Sequence, residues 1–244
     1  PYEVLVMTMD VTREDPDAGG TTDADLGCNG RCLFPFVVIA GGELGSAIRV
    51  PDGARVIAAD SGYDHALAAG VDVDALIGDL DSLSPVGLAH ARAHDVVIDE
   101  HPADKDATDL ELALDAAVAA GARSIDLFGG EGGAPGHRLA GTMLITSQRF
   151  RGIRMRWHVR DALIEVLRPD TPVSITGPPS AYVSIVPVGD VTGVRTRGLR
   201  WRLAGETLPA GSSRGTNNRL DADHGTITIG SGVALVVTEG SHPS

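Results

Sequence analysis

Arg55-Val56-Ile57-Ala58-Ala59-Asp60-Ser61-Gly62 is the stretch that decides the fold. Its apolar residues run without alternation, are too few for a helix, and stop at a carboxylate followed closely by glycine. Such a run fits a strand buried on both faces, as in a parallel sheet covered by helices. Neighbouring segments repeat the pattern. Phe36-Val37-Val38-Ile39-Ala40 ends in Gly41-Gly42, Ala75-Leu76-Ile77 ends in Gly78-Asp79, and further runs follow at 96–98 and 124–128. Helical stretches at 63–69, 86–94 and 108–120 lie between them. The predicted class is therefore α/β, with an N-terminal parallel-sheet domain carrying helices on both faces.

Beyond residue 168 the texture changes. Pro169, Pro172, Pro178 and Pro179 interrupt helices, and short β segments at 173–176, 181–187, 192–196, 199–203, 225–229 and 233–238 predict a C-terminal antiparallel β domain. The expected boundaries are 1–32 for an N-terminal extension, 33–168 for the α/β domain, and 169–244 for the β domain. Residues 11–31 are rich in Asp, Gly and Thr and cannot bury enough surface to form a core element, whereas 2–9 alternates like an edge strand.

In a parallel sheet, ligands sit at the carboxyl ends of the strands. Asp60, Asp79, Asp81 and the glycines after Phe128 all fall there, so residues far apart in sequence converge on one crevice. Two carboxylate clusters stand out: Gly78-Asp79-Leu80-Asp81-Ser82, and Asp104-Lys105-Asp106-Ala107-Thr108-Asp109 at the start of a helix. Either alone reads equally as turn formers or helix caps. Together they point to a divalent cation, because crowded carboxylates repel unless a cation holds them, and Mg²⁺ takes carboxylate and phosphate oxygens. The spacing of Asp79 and Asp81 predicts both side chains on one side of an extended segment. Lys105 is either a surface ion pair or a phosphate contact, and we favour the contact. Gly129-Gly130-Glu131-Gly132-Gly133 permits close approach of a ligand to the backbone, although it matches no dinucleotide or Walker fingerprint.

A formal net charge of −13 argues against nucleic-acid and anionic-membrane partners. No apolar run is long enough to span a bilayer, and residues 1–10 lack the order of a secretion signal, so a cytoplasmic protein is expected. Cys28 and Cys32 have no ligand partners nearby and are expected as reduced thiols, with a local disulfide as the alternative. His90 and His94 share a helix face without a third ligand, so the reading is a solvated surface.

Taken in order, Ala59-Asp60-Ser61-Gly62, the two carboxylate clusters, the glycine run ending at His137, Val183-Ser184-Ile185-Val186-Pro187, Gly198-Leu199-Arg200-Trp201 and Gly215-Thr216-Asn217-Asn218 resemble the thiamine pyrophosphokinase family. The resemblance covers roughly residues 33–240. It implies Mg²⁺-dependent transfer of pyrophosphate from ATP to the hydroxyethyl group of thiamine, giving thiamine diphosphate and AMP. It also implies a homodimer with active sites between chains. By motif, Asp60, Asp79, Asp81 and Asp109 correspond to the catalytic acids, with Asp79, Asp81 and Asp109 as metal ligands. Lys105, Thr108, Asp106, Gly130, Gly133 and His137 correspond to nucleotide contacts, and Trp201, Thr216 and Asn217 to thiamine contacts.

The family pattern Gly-Gly-Arg-x-Asp-His departs here to Gly132-Gly133-Ala134-Pro135-Gly136-His137, losing an Arg and an Asp. Gly141 stands where the family often has Asn, Asn218 replaces a Glu, and Arg138 is a candidate substitute for the lost guanidinium. These departures leave two alternatives: a pyrophosphokinase acting on another heterocyclic alcohol, or a catalytically weakened thiamine- or nucleotide-binding protein.

Overall fold

A computed structural model describes residues 35–132 and 134–240. The expected extension at 1–32, including 2–9, Cys28 and Cys32, lies outside the described residues, as does Gly133.

Five strands, β1 (Pro35–Ala40), β2 (Arg55–Ala59), β3 (Ala75–Gly78), β4 (Val97–Glu100) and β5 (Ser124–Phe128), pair in parallel in the order β5-β1-β2-β3-β4. Their unbroken apolar runs are explained by what covers them. Val37, Ile39 and Val56 pack toward α1 (Gly62–Ala69), and Leu76 toward α2 (Pro85–Ala93), on one face. Phe36, Val38, Ile57 and Ile125 pack with Leu114 of α3 (Asp109–Ala119) on the other. Helix ends follow local chemistry. The Ser84 side chain accepts from Gly87 N to start α2, Thr108 accepts from Glu111 N to start α3, and Gly70 closes α1 in the left-handed region.

The sheet does not stop at the parallel strands. β6 (Arg154–Val159) joins β5 in parallel, then β7 (Ala162–Leu167), β14 (Ala234–Glu239), β9 (Tyr182–Pro187) and β12 (Asn218–Arg219) continue antiparallel to make one ten-stranded sheet. A second, four-stranded antiparallel sheet runs β11 (Ala204–Leu208), β10 (Val191–Arg197), β13 (His224–Thr228), β8 (Val173–Thr176). Leu167, Val183, Ile185 and Val236 of the large sheet meet Val173, Val194 and Ile227 of the small one in a separate apolar core. The fold is thus α/β at one end and an antiparallel sandwich at the other, joined through a shared sheet.

The segment expected as a strand at 199–203 is corrected to a loop, with β11 following it. Gly198 takes φ +69° and turns the chain, and buried Leu199 and Leu203 reach the sandwich core from that loop. Helix α4 (Pro135–Leu144) follows the glycine run; Leu139 and Met143 on it are exposed. Among the described residues no helix is long and apolar enough to cross a membrane.

Candidate active site

The chain builds β1 to β4 in one direction and then places β5 on the far side of β1, so the strand order reverses between β1 and β5. Loops leave the carboxyl ends of both strands there, and such a switch point opens a crevice. The two glycine loops are tied together: Gly130 N donates to Gly41 O at 2.7 Å, and Glu43 N to Glu131 O at 2.6 Å. Buried Trp157 donates its indole N–H to Gly129 O at 2.8 Å and fixes the second loop from beneath. Trp157 belongs to no chemical motif, and its role emerges only from this contact.

Asp60, Asp79 and Asp109 come from the end of β2, the end of β3 and the start of α3, and one carboxylate oxygen from each lies within 4.8 Å of the others. Asp60 is buried and held at φ +47°, its N–H bonded to Ile77 O at 2.9 Å. Ser82 Oγ donates to Asp60 Oδ2, a partnership that the spacing of the motif does not announce. Burial pushes the Asp60 carboxyl up from its ordinary value; the Ser82 hydrogen bond opposes this, while the Asp109 and Asp79 charges add to it. Lys105 Nζ reaches Asp79 Oδ2 at 2.5 Å and Asp109 Oδ1 at 3.0 Å. The Lys105 hydrogen bond and charge hold Asp79 below the ordinary carboxylate value.

Asp60 Oδ1 is buried without a hydrogen-bond partner, and buried Asp109 Oδ1 has the Lys105 ammonium 3.0 Å away. Orphaned carboxylate oxygens are costly. Three hard oxygen donors, with Asp60 Oδ1 unsatisfied, fit a divalent cation such as Mg²⁺.

Asp81 stands apart. The expectation of an extended Asp79-Leu80-Asp81 segment is corrected, because β3 ends at Gly78 and Leu80 takes φ +61°. The chain turns, Asp81 N approaches Asp79 Oδ1 at 3.3 Å, and the exposed Asp81 side chain stays outside the three-carboxylate group. Asp106 and Thr108 are exposed beside the group, with Thr108 capping α3. Gly130 lies in the loop described above, and His137 is exposed in the first turn of α4. A cavity of about 460 Å³ lies beside α4, lined by Arg138, Leu139, Trp157 and Ile164 among others. Next to it, a Cβ on Gly136 would meet nothing within 4 Å. His90 is engaged with Tyr63 OH at 2.9 Å and stacks on His94 with centroids 3.8 Å apart.

Trp201, Thr216 and Asn217 gather elsewhere, around β9 and β12. Trp201 is 54 % exposed. Asn217 takes φ +57°, and its N–H donates to Ser184 Oγ at 3.1 Å. In the sheet order, seven strand steps separate β12 from β2. At about 4.8 Å per step these residues lie about 34 Å along the sheet from Asp60.

Residues 52–156 match the catalytic domain of thiamin pyrophosphokinase, and residues 172–234 match the vitamin B1 binding domain of the same family. The chain belongs to the thiamin pyrophosphokinase family. It is accordingly an enzyme, a transferase of the kinase type, and the two groups of residues described above fall in different matched regions. The catalytic match contains Asp60, Asp79 and Asp109, and the vitamin B1 binding match contains Trp201, Thr216 and Asn217. A thiamine pyrophosphokinase of Bacillus subtilis (strain 168) is 25% identical over 182 residues, covering 74% of this chain and 85% of the relative. The crystal structure of thiamine pyrophosphokinase from Bacillus subtilis superposes with a TM-score of 0.75 at 23% identity, covering 85% of this chain and 100% of that one. That of thiamin pyrophosphokinase from Geobacillus thermodenitrificans gives 0.72 at 26% identity, covering 84% and 97%.

Proposed function

We propose that this member of the family moves the pyrophosphoryl group of ATP to the hydroxyethyl oxygen of thiamine in a Mg²⁺-dependent reaction that releases AMP. The observation that carries the reading is the convergence of Asp60, Asp79 and Asp109 beside Lys105, with the buried Asp60 Oδ1 left without a partner. These three residues would hold the ion, which when bound supplies neutralisation of phosphate charge. Asp81, at the exposed rim, is assigned to a cation arriving with the nucleotide. Lys105 and Thr108, at the mouth of α3, are assigned to phosphate oxygens, together with Asp106, His137 and the backbone of Gly130 and Gly133.

In the transfer, the thiamine hydroxyl oxygen forms a bond to the β-phosphorus of ATP, and the bond from that phosphorus to the α–β bridging oxygen breaks. AMP leaves, and the hydroxyl proton passes to a carboxylate of the group. Little covalent work falls to the protein, so its contribution is positioning and charge complementarity.

Trp201, Thr216 and Asn217 are assigned to thiamine, Trp201 by stacking on its pyrimidine. A site using both halves needs a second chain, and what supports the homodimer is their separation of about 34 Å along one sheet. The same reading places the boundary between the catalytic and thiamine-binding parts near residue 168 and the enzyme in the cytoplasm with its ATP. Incubation with thiamine, ATP and MgCl₂ should yield thiamine diphosphate and AMP in equal amounts, and excess EDTA should stop both. Absence of both products with Mg²⁺ present would refute the reading.

A further inference from the structure

Asn218 is 2 % exposed, and its side chain grips both backbone groups of one other residue. Oδ1 accepts from Trp201 N at 3.0 Å, and Nδ2 donates to Trp201 O at 2.7 Å. Oδ1 also accepts from Arg219 N at 2.9 Å. The main chain already zips the Gly198 loop onto the 218–221 segment: Asp221 N donates to Gly198 O at 2.9 Å, and Arg200 N to Arg219 O at 2.9 Å. The Asn218 amide, with one acceptor and one donor arm, extends that seam by one residue, as far as Trp201.

Trp201 keeps 54 % of its surface exposed, so burial of its own indole cannot be what orders this position. Ordering an exposed aromatic in advance lowers the entropic cost of binding a flat ring. We infer that Asn218 is a positioning residue, which presets Trp201 for the thiamine ring without touching the substrate. The inference rests on the assignment of Trp201 to thiamine given above.

Asn218→Asp is the informative variant, since it keeps the acceptor for both amides and replaces the donor facing Trp201 O with a second oxygen. The thiamine KM should rise about tenfold, the scale of one buried hydrogen bond replaced by a mismatch. The KM for ATP and kcat should stay within about twofold, because neither depends on this loop. Trp157 is 2 % exposed, so acrylamide quenching of fluorescence reads Trp201 selectively and should increase in the variant. In a Trp201→Ala background the Asn218 substitution should add nothing further to KM, as two members of one unit do not add.

An equal rise in KM in both backgrounds would show that Asn218 acts by another route and would overturn the inference. So would an unchanged KM in Asn218→Asp when Trp201→Ala alone raises it. If Trp201→Ala leaves the thiamine KM unchanged, the substrate assignment of Trp201 fails instead, and quenching decides the latch: increased quenching supports it, and unchanged quenching overturns it. Asn218→Ser, too short to reach Trp201, repeats the test should the aspartate variant not fold.

Discussion

Gly78 sits at φ +151° between two of the clustered acids; a Cβ there would stand 3.0 Å from Asp109 Oδ1 and 3.1 Å from the Asp60 Cβ. Glycine is therefore needed both for the backbone angle and for the closeness of the carboxylates. Gly78→Ala should spread the group and raise the Mg²⁺ concentration for half-maximal activity about tenfold, on the scale of a displaced ligand set. An unchanged Mg²⁺ titration would show that the spacing does not matter. Asp79→Asn removes a charge without changing shape, and kcat should fall by roughly 10²–10³, the usual scale for removing one electrostatic stabiliser of a transition state. Its circular dichroism should match the parent, and full turnover would remove Asp79 from the reaction. The residues of this site were legible in the sequence because carboxylates at strand ends follow from the apolar runs. Their geometry was not: nothing in Asp79-Leu80-Asp81 announces that Leu80 takes φ +61°, and that one angle separates Asp81 from the group.

Strands β1 to β3 were legible at the level of elements because both their faces are apolar, and β5 because Ile125, Leu127 and Phe128 outweigh its one buried charge, Asp126. β6 was not, because Arg154-Met155-Arg156-Trp157-His158-Val159 alternates charge with bulk, as an exposed surface would. The register explains it: Asp126 of β5, Arg156 of β6 and Glu165 of β7 stand abreast. Asp126 is 3 % exposed and accepts from Arg156 Nη2 and, at 2.6 Å, from His158 Nε2. Arg154 pairs with Glu165 at 3.2 Å, and the His158 ring lies on Phe128 at 4.4 Å. The charged row pairs within itself, leaving the buried Arg156 Nε without a partner. Burial pushes the Asp126 carboxyl up, but the His158 hydrogen bond and the Arg156 charge outweigh it, and the value lies below the ordinary one. A depressed acid contributes stability that is complete above the unfolded-state value, about pH 4, and is lost as pH falls through the folded value. Asp126→Asn should cost about 3 kcal/mol at pH 7, the scale of a broken buried pair. The gap between the melting curves of parent and variant should hold from pH 7 to about pH 4 and narrow as the pH falls further, and a gap independent of pH down through that range would refute the charge argument.

One sheet of ten strands gives the whole molecule its functional problem. The catalytic match and the vitamin B1 binding match sit at opposite ends of it, seven strand steps apart from β2 to β12. On the proposed reading, a two-fold dimer pairs each end with the opposite end of its partner and makes two equivalent composite sites. Subunit mixing tests this directly. Asp79→Asn lacks one half of each site and Trp201→Ala the other, so each homodimer should turn over poorly at thiamine concentrations below the parental KM. In a mixed dimer one composite site carries both defects and the other carries neither. After equilibration of equal amounts, half the dimers are mixed and each holds one intact site, so activity should recover to about one quarter of the parent. Dilution below the dimer dissociation constant should abolish the recovered activity by mass action. If each site lay within one chain, mixing would give only the average of the two variants. That average would refute the shared site and would require Trp201 to serve something other than the carboxylate crevice.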